Sequence, residues 1–80
     1  MDEQLEFVLR WAASRHTRVI AFGVCRSTAK DRQVIAEFAS LDEARDAARA
    51  LGLDPLGRNP IIVALTPEGW ACELEQVGPR

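Results

Sequence analysis

Tyrosine is absent from this 80-residue chain, and cysteine, methionine and histidine number only two, one and one. One histidine and two distant cysteines give no zinc-ligand spacing. A secreted domain this small usually carries several disulfides. Cys25 and Cys72 are therefore expected as free thiols packed like small apolar groups. A bridge between them would need Cα atoms within about 7 Å, and the sequence leaves their proximity open. Long hydrophobic runs are also missing. The longest, Val19–Phe22 and Ile61–Leu65, fall far short of the ~20 residues that cross a bilayer. The opening Met1-Asp2-Glu3-Gln4 is acidic where a secretory signal would be basic. The expectation is a cytoplasmic chain with no membrane association. Neither charge sign dominates, since ten Lys and Arg face twelve Asp and Glu for a net charge of −2. That excludes a strongly basic nucleic-acid binder and a strongly acidic DNA mimic.

What is present is the composition of a folded domain, 48% hydrophobic and 28% charged, read as one compact unit over residues 1–80. A helix is expected from Asp2 to Arg15. Asp2 caps it, Glu3 and Glu6 suit the positive end of its dipole, and Leu5, Val8, Leu9 and Ala12 form its apolar face. Thr17–Arg26 reads as a strand, with Ile20, Phe22 and Val24 on one face and Val19, Ala21 and Cys25 on the other. Ser27–Asp31 reads as a polar loop and Gln33–Ala39 as a second strand, with Val34, Ala36 and Phe38 on one face. Ser40-Leu41-Asp42-Glu43 is a capping box. It opens a helix to Leu51 whose stripe is Leu41, Ala44, Ala48 and Leu51. Gly52 ends it.

Residues 54–60 are rich in turn formers. Ile61–Thr66 and Trp70–Gln76 read as two more strands around the turn Thr66-Pro67-Glu68-Gly69. In the last strand Trp70, Cys72 and Leu74 face one way and Ala71, Glu73 and Glu75 the other. The implied fold is α+β, a two-layer αββαββ arrangement. Two helices cover one face of a four-stranded, mostly antiparallel sheet, and the other face is solvated.

The motifs that carry chemistry are sparse. Gly52, Gly57 and Gly69 form no phosphate-binding loop. His16 and Cys25 read as a helix-end histidine and a strand cysteine rather than as a nucleophile pair. Asp42 and Asp46 lie on an exposed helix face, where carboxylates stay ordinary. The expectation is a protein that is not an enzyme, with no catalytic residues, no metal and no cofactor.

Three surfaces are candidates for binding. Glu3, Glu6, Asp42, Asp46, Glu73 and Glu75 form an acidic set suited to a basic partner, unless Arg45 and Arg49 neutralise the second helix through i,i+3 pairs. Arg26, Lys30 and Arg32, with Arg18 nearby, make the first hairpin loop basic. No exposed aromatic interleaves with them to stack bases. Phe7 and Trp11, one turn apart, are either core or an aromatic interface for a partner or a second copy.

The strand, cap and helix unit Val34-Ile35-Ala36-Glu37-Phe38-Ala39-Ser40-Leu41-Asp42-Glu43-Ala44 resembles units of small α+β modules, peptidoglycan-binding repeat domains among them. In size, layout and lack of motifs, with an Ala- and Arg-rich composition, the whole chain resembles the small phage and mobile-element anti-CRISPR proteins. That resemblance implies a non-enzymatic inhibitor of a type I CRISPR–Cas system. It would bind a Cas effector complex, Cascade, and block target DNA binding by covering its surface, with acidic side chains lying in the basic DNA path. The protein would be a monomer or weak homodimer, and direct nucleic-acid binding is not the favoured mode. The alternative is a small nucleic-acid-binding or regulatory module that uses the basic first hairpin loop.

Overall fold

The computed structural model describes residues 2–26 and 34–78. The elements run α1 (Glu3–Ser14), β1 (Ala21–Cys25), β2 (Val34–Phe38), α2 (Leu41–Leu51), β3 (Ile61–Leu65) and β4 (Ala71–Gln76). The strands form one sheet in the order β2-β1-β3-β4, and every neighbouring pair is antiparallel. The expected α+β, αββαββ architecture is what the chain adopts. The Ser27–Asp31 loop, together with Lys30, Arg32, Gln33 and the last two residues, lies outside the described residues.

Each helix begins on the side chain the sequence offers. The Asp2 carboxylate accepts from the backbone N–H of Gln4 at 2.9 Å. The Ser40 hydroxyl accepts from the N–H of Glu43 at 3.2 Å. The second half of the expected capping box differs, because the Glu43 carboxylate accepts from the Ser40 hydroxyl itself. The ends differ more. Gly52 closes α2 at φ 70°, ψ −167°, a region essentially restricted to glycine. α1 closes on His16, at φ 57°. The N–H groups of His16 and Thr17 bond back to the carbonyls of Ala13 and Ala12, a Schellman closure built on a histidine where glycine is usual.

The main core lies between the helices and the sheet. Val8 of α1 and Leu41, Ala44 and Ala48 of α2 pack on Phe22, Val24, Ile62, Ala64 and Leu74. Because Ala44 and Ala48 are small, α2 lies close over β1, β2 and β3, while α1 lies against β4. In α1 the apolar face is rotated from the expected one. Trp11 joins Leu5 and Val8 against the core, Ala12 is buried and Leu9 is exposed.

Two irregularities in strand pairing overturn parts of the expected face pattern. In β2, Ala36 pairs with Val24 and Val34 with Cys25, so Ile35 is an extra residue. This β-bulge puts Val34 on the sheet face away from the helices, beside Cys25, Ile61, Val63 and Leu65. In β4, Glu75 pairs with Ile62 and Glu73 with Val63, so Leu74 is extra. Leu74 and Glu75 both turn to the helix side, and Glu75 is not on the outer face with Glu73. The outer face is thus less polar than expected: Cys25, Ile61 and Val63 there are buried. Gly23 sits in their midst. A Cβ at Gly23 would lie 2.9 Å from Val34 Cγ1 and 3.2 Å from Val63 Cγ2, so its hydrogen lets those valines close. At the start of β1 the expected alternation fails as well. Val19 packs inward and Ile20 is exposed; both precede the regular ladder that starts at Ala21, although the Ile20 N–H still donates to the Leu65 carbonyl at 2.8 Å.

Candidate functional site

The densest polar constellation centres on Arg45, which extends from the middle of α2 toward the start of α1 and the end of β4. Its Nε donates to Glu75 Oε1 at 2.7 Å, and its Nη1 donates to Asp2 Oδ2 at 2.5 Å. Asp42, one turn earlier on α2, stands 3.9 Å away. Asp2 thus does two things: Oδ1 caps α1 and Oδ2 ties α1 to α2. The bulge in β4 is what makes the third tie, since without it Glu75 would point to the other side of the sheet.

The electrostatics follow from this geometry. The Arg45 hydrogen bond holds the Asp2 carboxyl below its ordinary 3.8, assisted by the N–H groups of Leu5 and Gln4. The same bond raises Arg45, so the pair is charged across the physiological range. The Arg45 side chain is only 18% exposed, whereas Asp42 is 94% exposed. Three carboxylates against one guanidinium leave this corner negative, with its most exposed charge on Asp42.

The six acidic residues expected to bind a partner are only partly brought together. Asp42 and Glu75 share Arg45. Asp46, further along α2, pairs with Arg49 at 3.2 Å. Glu6 pairs with Arg10 at 2.7 Å and, with Glu3, lines the outer side of α1. Glu73 stands apart on the opposite sheet face. Arg45 does not simply neutralise its own helix, as the i,i+3 spacing suggested; its short bonds go to other elements. Asp2 and Arg45 are the members that sequence reasoning missed. Asp2 read as a cap alone, and an i,i+3 neighbour hid the long-range role of Arg45.

The aromatic pair divides. Trp11 is half-buried in the core, with the Arg15 guanidinium carbon 5.1 Å from its ring centre. Phe7 is 56% exposed. It lines a shallow hollow of about 250 Å³ together with Glu3, Glu6 and Arg10.

Of the basic loop, only Arg26 is among the described residues. Its Nη1 is buried and has no hydrogen-bond partner among the described residues.

Other polar groups are structural. The buried Asp54 accepts from the N–H groups of Leu56 and Arg58 and from Arg58 Nε, which closes the loop after α2. Neither cysteine is in a disulfide. Among the described residues no group of three His, Cys, Asp or Glu is placed to hold a metal ion, and no helix is long and apolar enough to cross a membrane. The chain matches no protein-family model, no curated protein and no solved structure.

Proposed function

We propose that this chain is a non-enzymatic, anti-CRISPR-like inhibitor. It binds a Cas effector complex of the Cascade type and blocks target DNA binding by covering the DNA path. The observation that carries this reading is the corner around Arg45. Asp2, Asp42 and Glu75 converge there on a single guanidinium, with Asp46 one turn beyond Asp42 on α2. A net negative, preorganised surface complements the basic groove that such an effector offers to DNA. The working residues are Asp42 and Asp46, and the setting is the cytoplasm.

A pull-down with a purified Cascade-type complex tests this. The wild-type chain is expected to be retained and to relieve targeting of phage in cells. Asp42→Lys with Asp46→Lys is expected to weaken retention at least tenfold, about 1.4 kcal/mol, with thermal unfolding nearly unchanged. Absence of any complex, with phage targeting intact, would refute the reading. The alternative is a small nucleic-acid-binding module that uses the basic first hairpin loop. That reading requires direct DNA or RNA binding that weakens steeply with salt.

A further inference from the structure

The outer side of α1 has a property that the proposed inhibitory surface does not use. Glu3, Glu6, Phe7 and Arg10 follow the i, i+3, i+4, i+7 spacing of one helical stripe and line one hollow. The stripe is acidic at its start, aromatic near its centre and basic at its end. A two-fold axis passing between residues 6 and 7 relates position 3 to position 10 and position 6 to position 7. A second copy laid antiparallel about that axis meets Glu3 with Arg10 at both ends. At the centre it brings the two Phe7 rings together, each beside the Glu6 stem of the other copy. This is the self-complementarity that an isologous interface demands.

We propose that the Glu3–Glu6–Phe7–Arg10 face of α1 is a self-association surface whose occupant is a second copy of this chain, packed antiparallel. Phe7 supplies the apolar anchor. It is a large, rigid ring left 56% exposed while its neighbour one turn on, Trp11, is taken into the core. Arg10 already holds Glu6 at 2.7 Å, and its remaining donors are available to the Glu3 of the other copy. Glu3 to Ser14 spans 12 residues, about 18 Å of helix. A single face of that length buries less than the ~800 Å² per partner of a standard interface. The pairing is therefore weak and is populated only at high protein concentration.

The charge arrangement allows a sharp test by sedimentation equilibrium across a concentration series up to about 1 mM, the weak end of specific binding. The wild-type chain is expected to shift from monomer to dimer, and Phe7→Glu to weaken association at least tenfold. Glu3→Arg places like charges opposite each other, and so does Arg10→Glu; each variant alone is expected to be monomeric. Mixed, the two restore both end pairs and form a heterodimer. Circular dichroism checks that the helix is intact in each. A wild-type chain that stays monomeric throughout overturns the proposal, as does a dimer indifferent to Phe7→Glu. Failure of the mixed variants to pair also overturns it. Capture of a Lys- and Arg-rich peptide by a chain that never self-associates would assign the face to a different occupant.

Discussion

The two helices have similar lengths and the same kind of N-terminal cap, yet they occupy different positions. α2 lies over three strands and buries Leu41, Ala44 and Ala48. α1 lies mainly against β4, buries Val8 and Ala12 and leaves Phe7 and Leu9 in solvent. A helix over the middle of a sheet is used up by packing. A helix over the edge strand keeps a second face for other work. Arg45 joins the two, so the position of α1 depends on a charge pair as well as on apolar contact.

Three substitutions, in descending order of effect, test that contrast. Leu41→Ala removes a buried side chain from under α2 and should cost about 2–5 kcal/mol, read as a lowered denaturant midpoint. A loss under 1 kcal/mol would mean that α2 is not the keystone. Arg45→Met should cost less and should depend on pH. The Asp2 carboxyl is depressed by its Arg45 hydrogen bond, so its contribution is complete above the unfolded value of 3.8. It is lost as pH falls through the lower folded value. Stability curves of wild type and variant should therefore begin to approach each other only below pH 3.8 and meet below the depressed folded value. A gap that persists there would assign the role of Arg45 to packing. Phe7→Glu on the outer side of α1 should change stability by no more than about 0.5 kcal/mol while reducing self-association. A large loss of stability would place Phe7 in the core.

The order of elements was legible because the local signals were strong. Asp2 and Ser40 cap the helices, Gly52 ends the second, and the β-branched run Val19–Val24 and the alternating 70–76 segment mark strands. What was not legible is what depends on pairing. The extra residues Ile35 and Leu74 follow from register between strands, and no period-2 pattern within one strand reveals them. They decide that Val34 belongs to the outer face and that Glu75 reaches Arg45. The partner choice of Arg45 was hidden for the same reason, since Asp2 and Glu75 are close to it only in the folded chain. Leu9 and Trp11 exchanged roles because both lie at the border of the helix face, and the larger ring buries more surface. The six acidic residues are therefore spread over α1, α2 and both faces of β4 rather than gathered at one place.

The inhibitory reading rests on negative charge occupying a DNA path, and a competition titration tests it most directly. A purified Cascade-type effector is loaded with labelled target DNA, and the chain is added at increasing concentration. Stoichiometric displacement of the DNA is expected, weakening with added salt and at least tenfold when Asp42 and Asp46 are both changed to lysine. A stable complex holding the effector, the DNA and the chain together would contradict it, as would DNA release that ignores that charge reversal.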